Sequence, residues 1–233
     1  MKVLFIGNSH TFFNDMPNLF ADMVQQESGE PVDAVMLAYS GRDLNWHHQE
    51  YFSVRYNLLY GQYDYCIIQQ AAHPFPDPCS TDANADWILQ LCHTAHTKPV
   101  IYMTWAEQAH PEHARMMIDY YTGLAGRSGS LLAPVGQVFE ALRNSHPEID
   151  LYWKDGEHAS VYGDYLAASV LASTILQHPL TSMSCTGLDF LQDEPFDFAH
   201  PGLIEHPEKE VIPLDADTCA VILDAIAQIM VKH

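Results

Sequence analysis

A serine, a histidine and an aspartate lie at places in this sequence where they could act together in one reaction. Ser9 follows the apolar run 3–6 directly, and Asp155 and His158 lie in a later segment that again follows an apolar run. A serine hydroxyl must lose its proton as it attacks, and histidine is the side chain best suited to accept that proton near neutral pH. An aspartate bonded to the other ring nitrogen would fix the tautomer of the imidazole. These three residue types therefore predict nucleophilic catalysis.

Position strengthens this interpretation, because short motifs of this kind also arise by chance. An Asp-x-x-His sequence is common in an acid-rich chain, and Gly-Asn-Ser-x-Thr can be an ordinary loop. An open parallel α/β sheet, however, binds its ligands just beyond the carboxyl ends of its strands, and both segments occupy such places.

The elements that must position these residues alternate between short apolar runs and longer amphipathic segments, which is the βαβ pattern. The sequence predicts strands over 2–7, 33–38, 64–69, 99–104 and 149–153. It predicts helices over 16–28, 45–60, 82–96, 111–125, 135–145, 160–177 and 215–231. We therefore expect an α/β fold, a three-layer α/β/α sandwich around a flavodoxin-like five-stranded parallel sheet in the order 2-1-3-4-5.

Two sequence motifs give the chain a specific resemblance. The first motif, near the N-terminus, is Gly7-Asn8-Ser9-His10-Thr11, and the second is formed by residues 155–168, which read DGEHASVYGDYLAA. In these motifs, and from residue 2 to about 177, the chain resembles the SGNH (GDSL-like) hydrolases, in particular a bacterial branch with G-N-S-x-T and D-G-x-H-x-S motifs. The resemblance implies that Ser9 is the nucleophile, His158 the general base and Asp155 its partner.

The resemblance also implies three oxyanion donors: the nucleophile's own N–H, a glycine N–H after the second strand, and an asparagine side chain after the third. Ser9 and Gly41 match the first two. Instead of the asparagine, this chain has Gln69 and Gln70. A glutamine amide offers the same N–H donor, so we expect Gln69, or alternatively Gln70, to replace it. The alternative is that both glutamines only cap the strand end.

Four further residues are candidates for the substrate-binding wall, namely His10, Tyr39, His73 and Trp105, with ordinary packing as the alternative for the two aromatic residues. His10 is a poor general base, because neighbouring side chains on a tight turn diverge. The expected function is that of a serine esterase acting on carboxylic esters through an acyl-enzyme. The resemblance implies O-acetyl groups on carbohydrates as one substrate class. The missing asparagine keeps open a catalytically weak or inactive ligand-binding protein of the same fold.

Charge and motif content restrict partners and cofactors. The formal net charge of −20 argues against nucleic acids and anionic membranes, and favours a neutral small-molecule or glycan ester. No apolar run approaches the roughly 18–20 residues that span a bilayer. No dinucleotide or nucleotide fingerprint follows the first strand, so no cofactor is expected. A receiver domain would need acidic residues that are missing here, and a flavin-binding α/β domain stays a third possibility, which colourless purified protein would discount. The histidine pairs 47/48, 93/96 and 110/113 lack further ligands at conventional spacing, so no metal is expected.

The 233 residues fit a single domain, since 48% hydrophobic and 17% charged residues indicate a substantial core. A candidate insertion or lid covers 180–214, rich in Pro, Asp and Glu, with Phe190, Phe196, Phe198 and Pro201. Five widely spaced cysteines without a C-x-x-C pair are typical of reduced thiols. No export signal precedes the first strand, so the sequence as given favours a cytoplasmic protein, although a trimmed exported one would look the same. The oligomeric state is not indicated.

Overall fold

A five-stranded parallel sheet forms the centre of the protein, and its strand order confirms the prediction. The computed structural model describes residues 1–181 and 214–231. Neighbouring strands lie in the order β2-β1-β3-β4-β5, and every pair is parallel. The strands are β1 (Lys2–Gly7), β2 (Asp33–Ala38), β3 (Tyr65–Gln69), β4 (Lys98–Tyr102) and β5 (Leu131–Ala133).

Helices cover both faces of this sheet. They are α1 (Ser9–Phe12), α2 (Met16–Ser28), α3 (Leu44–Gln49), α4 (Tyr51–Tyr60), α5 (Pro78–Ala95), α6 (His113–Ser128), α7 (Val135–Ser145), α8 (Val161–Leu176) and α9 (Ala216–Met230). A 3₁₀ turn, Phe13–Asp15, separates α1 from α2. The helix predicted over 45–60 is two helices that meet at Glu50, whose ψ of 43° is not helical.

Alternate side chains of the central strand enter different cores, as the period of two in a strand requires. Val3 and Phe5 pack with α2, α7, α8 and α9, whereas Leu4 and Ile6 pack with α3, α4, α5 and α6. All four side chains are fully buried. The three-layer α/β/α arrangement follows from this double burial, because a parallel strand apolar on both faces needs helices on both sides.

The position of the fifth strand was predicted wrongly. Strand β5 is Leu131–Ala133, and the predicted segment 149–153 forms only a single antiparallel bridge between Tyr152 and Ala159. This segment is apolar because Leu151 and Tyr152 enter the core from a loop. Short apolar runs do not distinguish a strand from a buried loop, and the three-residue strand gave too weak a pattern.

The candidate insertion falls almost wholly outside the described residues. Residues 182–213, with Phe190, Phe196, Phe198 and Pro201, are not among them. At the two ends of that range, Leu180 and Leu214 are buried in the core. Within 1–181 and 214–231, no helix combines the length and apolarity that crossing a bilayer requires.

Helix α8 approaches the loop before it so closely that Gly163 has no room for a side chain. A Cβ at this position would lie 2.3 Å from the Leu151 carbonyl oxygen and 2.9 Å from the Ala159 Cβ. Leu151 and Ala159 flank the segment that contains Asp155 and His158. The glycine therefore sets how closely this segment can pack against α8.

Replacing Gly163 with alanine should lower the free energy of unfolding by about 1–3 kcal/mol, because the loop or the helix must shift. Gly126→Ala in α6 is the matched control, since a Cβ there meets nothing within 4 Å. The free energy of unfolding of this control should rise by about 0.5–1 kcal/mol, because alanine has a higher helix propensity than glycine. Urea denaturation of both variants tests the pair, and equal effects would contradict the close packing at Gly163.

Candidate active site

Ser9 lies at the carboxyl edge of the central strand, where the chain turns abruptly into α1. Asn8 caps this helix, and its Oδ1 accepts a hydrogen bond from the His10 N–H at 3.0 Å. Gly7 allows the turn, because a Cβ there would lie 2.4 Å from Gln69 Oε1 and 2.5 Å from Thr11 Oγ1. Only 5% of Ser9 is exposed. The sequence thus places one largely buried hydroxyl group at the carboxyl edge of the sheet.

The serine, histidine and aspartate singled out in the sequence meet in space. His158 Nε2 lies 2.7 Å from Ser9 Oγ, although the two residues are 149 positions apart. His158 Nδ1 lies 2.6 Å from Asp155 Oδ2. With Nδ1 protonated, Nε2 has a free lone pair for the serine proton. This is the geometry that general-base activation of a hydroxyl requires.

Asp155 is built to stay ionised. Its Oδ1 accepts hydrogen bonds from the backbone N–H groups of Glu157 at 2.9 Å and His158 at 3.0 Å. Burial raises the pKa of Asp155, but the hydrogen bonds from the His158 ring and from the two N–H groups outweigh it. They hold the pKa of Asp155 below its ordinary value. A carboxylate at this place can therefore stabilise an imidazolium at neutral pH.

Aromatic rings fix the orientation of the His158 imidazole. The ring stacks on Phe13, with centroids 4.1 Å apart and planes 13° apart, and on His10 at 4.7 Å and 27°. Trp153 meets it edge-on at 6.3 Å. These contacts restrict rotation of the imidazole, so its hydrogen bonds to Ser9 and Asp155 are preorganised.

His10 and His73, two predicted substrate-binding residues, form a buried pair beside His158. Their ring centroids are 5.0 Å apart, and the His73 side chain is 3% exposed. Burial, followed by the proximity of His158 and His73, holds the pKa of His10 well below its ordinary value. Burial also lowers the pKa of His73 to about 4, against the opposing effect of Glu107. Both imidazoles are therefore neutral at pH 7 and do not repel a charge on His158.

Trp105 and Tyr39, the two predicted aromatic wall residues, have different surroundings. Trp105 is 2% exposed, stacks on Phe139 at 4.2 Å, and donates a hydrogen bond from Nε1 to the Glu157 carbonyl at 2.9 Å. It therefore supports the loop that contains His158. Tyr39 is 44% exposed and packs beside Trp46 at 4.8 Å, so it is accessible to a ligand.

The loop that contains Gly41 is attached to the turn at Ser9. The Tyr39 N–H donates to the Gly7 carbonyl at 3.1 Å, and Asn8 Nδ2 donates to the Arg42 carbonyl at 3.0 Å. Gly41 has a φ of 67°, which glycine adopts without strain. Among the described residues, the backbone N–H groups of Ser9 and Gly41 donate to no acceptor.

The two glutamines after β3 are occupied by other contacts. Gln69 Oε1 accepts from the Asn8 N–H at 2.8 Å and from Thr11 Oγ1 at 3.0 Å, and Gln69 Nε2 donates to the Gln70 carbonyl. Gln70 Oε1 accepts from the Leu44 and Ala71 N–H groups, and its Nε2 donates to Thr81 Oγ1 at 2.9 Å. These contacts favour the alternative that both amides brace loops, rather than the expected oxyanion role.

His47 is a site residue that the sequence did not reveal. It was considered only as one of a pair of metal ligands, but its Nε2 lies 2.8 Å from the Gly7 carbonyl, while the His48 Nδ1 lies 2.8 Å from Asn84 Oδ1. Burial lowers the pKa of His47, so the neutral ring donates its Nε2–H to Gly7. The histidine fixes the carbonyl that precedes the turn at Ser9. Its spacing in the sequence gave no signal of this.

A buried contact between Asn14 and Asp164 links the serine turn to α8. Asn14 and Asp15 both have left-handed backbone, with φ of 48° and 55°. In this conformation Asn14 Nδ2 donates to Asp164 Oδ2 at 2.6 Å and to the Ala159 carbonyl at 3.3 Å. Burial raises the pKa of the fully buried Asp164 well above its ordinary value. Consecutive Asn and Asp residues, which tolerate positive φ, were the only available sequence signal.

No protein-family model and no curated protein matches the chain. Among solved structures, a protein from Slackia heliotrinireducens provisionally described as an SGNH hydrolase is 27% identical, with a TM-score of 0.65, over 75% of this chain and 98% of that one. A lipase/acylhydrolase from Enterococcus faecalis is 14% identical, with a TM-score of 0.60, over 75% and 94%. A variant acetyl xylan esterase from Geobacillus stearothermophilus is 16% identical, with a TM-score of 0.59, over 76% and 93%.

The fold and the strand order define a three-layer α/β protein with its candidate site at the carboxyl edge of the sheet. The chain has the fold of the SGNH hydrolases, the superfamily that its sequence motifs implied.

Replacing Asp164 with asparagine should make stability less sensitive to pH. The folded state keeps Asp164 protonated above pH 4 and the unfolded state does not, so this group destabilises the wild type increasingly as pH rises from about 4 towards the raised pKa. The advantage of Asp164→Asn should therefore grow by up to about 1.4 kcal/mol per pH unit in that window. Urea denaturation between pH 4 and 7, with the exposed Asp86→Asn as control, measures it. Parallel curves for wild type and Asp164→Asn would contradict a raised pKa.

A Gln69→Leu substitution distinguishes bracing from oxyanion binding. Loss of the amide leaves the Asn8 N–H and the Gln70 carbonyl without partners, so we expect the free energy of unfolding to fall by about 1–3 kcal/mol along with activity. If Gln69 were an oxyanion donor, its replacement would instead lower kcat by about 10²–10³ while the free energy of unfolding stayed unchanged. Denaturation and ester turnover of the same variant decide between them.

Proposed function

We propose that the protein is a serine esterase that hydrolyses carboxylic esters through a covalent acyl-enzyme. The observation that carries this proposal is the continuous series of hydrogen bonds from Ser9 Oγ through the His158 ring to Asp155, with atoms 2.7 Å and 2.6 Å apart. Such a series turns a weak nucleophile into an effective one. Similarity to a solved structure described as an SGNH hydrolase supports it.

The reaction follows from these three residues. Ser9 Oγ attacks the ester carbonyl carbon while His158 Nε2 takes its proton, and Asp155 stabilises the imidazolium. The negative carbonyl oxygen accepts hydrogen bonds from the backbone N–H groups of Ser9 and Gly41. The C–O bond to the alcohol then breaks, and His158 returns the proton to that alcohol. Water repeats the cycle, releasing the acid and restoring Ser9.

Small acyl groups, including acetyl groups on carbohydrates, are the proposed substrate class. The His158 ring stacks on His10, whose ring lies beside His73, and both of these histidines are neutral and buried. A long acyl chain would need an extended apolar groove, whereas the little exposed surface of Ser9, which is 5% exposed, suits a short one. A net charge of −20 disfavours an anionic substrate, and the relative from Geobacillus acts on acetyl xylan by its description.

The contacts of Gln69 and Gln70 favour one alternative, a catalytically weak or inactive ligand-binding protein. Without a side-chain amide facing the substrate, two backbone N–H groups would bind the oxyanion alone. Loss of one donor costs on the order of 10²–10³ in turnover. The same assay separates the two functions.

Turnover of p-nitrophenyl acetate, butyrate and octanoate tests the proposal. We expect the acetate to react fastest, and Ser9→Ala to lower kcat on the order of 10⁴ or more because the nucleophile is gone. Asp155→Asn should lower kcat about 10⁴-fold, since the amide selects the wrong tautomer. Ser53→Ala, an exposed serine on α4, is the control and should change nothing.

Equal activity of the wild type and Ser9→Ala would contradict the esterase proposal. Absence of turnover by the wild type, together with saturable binding of a neutral acetylated sugar, would support the ligand-binding alternative. Fastest turnover of the octanoate ester would exclude the small acyl class while leaving the mechanism intact.

A further inference from the structure

Two histidines and a glutamate cluster at the start of α6, outside the Ser9 site. His110, Glu112 and His113 each offer one ligand atom, and these atoms all lie within 4.8 Å of one another. All three side chains are exposed, so an ion from solution can reach them. The cluster combines imidazole nitrogens with a carboxylate oxygen. The sequence predicted no metal here, because the histidine pair 110/113 lacks further ligands at conventional spacing.

Consecutive turns hold the cluster together. The His110 N–H donates to the Glu107 carbonyl at 3.1 Å, and the His113 N–H donates to the His110 carbonyl at 3.1 Å. This winding places the two imidazoles side by side, with centroids 5.2 Å apart and planes 18° apart. Each ring faces its own carboxylate. His110 Nδ1 lies 3.0 Å from Glu112 Oε1, and His113 Nδ1 lies 3.0 Å from Glu107 Oε2.

We propose that His110, Glu112 and His113 bind a divalent transition-metal ion of the zinc class, with Glu107 beside them as a fourth ligand. Two nitrogen and two oxygen donors match the preferences of Zn²⁺ better than those of Mg²⁺, which prefers oxygen and water. The strongly negative chain attracts cations. The ion would replace the protons that the two imidazole–carboxylate pairs now share.

The same segment touches the Ser9 site, which gives metal binding a consequence. The Gln108 N–H donates to the Gly156 carbonyl at 2.8 Å, next to Asp155. Glu107 Oε1 lies 3.7 Å from His73 Nδ1, and the His73 ring packs on His10 beside His158. An ion bound to Glu107 Oε2 would partly neutralise the charge that the same carboxylate presents to His73 through Oε1. Metal binding should therefore change ester turnover, a consequence that rests on the proposed function, whereas binding itself does not.

Isothermal titration of the full chain with ZnCl₂ alone, and with MgCl₂, tests the site. We expect saturable one-to-one zinc binding, no magnesium binding, and a higher melting temperature with zinc. His110→Ala and His113→Ala should each raise the zinc Kd at least about tenfold, the least that losing even an outer partner costs. Both positions are exposed, and circular dichroism confirms that the variants fold.

His146→Ala is the matched control, because the exposed His146 faces Glu148 at 2.9 Å with the same spacing as His110 and Glu112 but without a second histidine. Its Kd for zinc should equal that of the wild type. The proposal is overturned if zinc does not saturate a site, or if His110→Ala and His113→Ala bind it as tightly as the wild type. Tight binding without any change in turnover would leave the site standing and remove only its link to Ser9.

Discussion

The hydrogen bond between Ser9 and His158 is the interaction on which the site depends, because it joins segments 149 residues apart. The central strand fixes one end of it, and the loop before α8 supplies the other. The close approach of α8 at Gly163 and the contact of Asn14 with Asp164 hold the two ends together. The three-layer fold thus brings a hydroxyl group and an imidazole to bonding distance at one edge of the sheet.

Buried polar side chains support the turn at Ser9 from below. Gln69 bonds to the Asn8 N–H, and His47 bonds to the Gly7 carbonyl on the other side of the turn. A buried backbone N–H or carbonyl group without a hydrogen-bond partner would cost free energy. The two side chains supply the partners that the backbone groups at this sharp turn would otherwise lack. These two contacts define where Ser9 lies. Buried polar side chains therefore hold the turn on which the site is built.

Local sequence patterns predicted the fold and the three central side chains, because each signal lies within a short segment. Apolar runs predicted the first four strands, the βαβ pattern predicted their order, and two motifs predicted Ser9, Asp155 and His158. Features that depend on direction or on distant contacts could not be predicted. The sequence shows that Gln69 has an amide but not that it faces the turn, and the pairing of Asn14 with Asp164 spans 150 residues. Strand β5 was missed because three residues form too short a pattern.

Ser9 and His158 belong to parts of the fold that differ in how firmly they are held. Ser9 follows a fully buried strand, whereas His158 lies in a segment closed by the single bridge between Tyr152 and Ala159 and by contacts such as that of Trp105 with Glu157. Segments with few buried backbone hydrogen bonds open at a lower free energy than central strands. On heating, the contact between Ser9 and His158 should consequently be lost while the ellipticity of the folded chain is still intact.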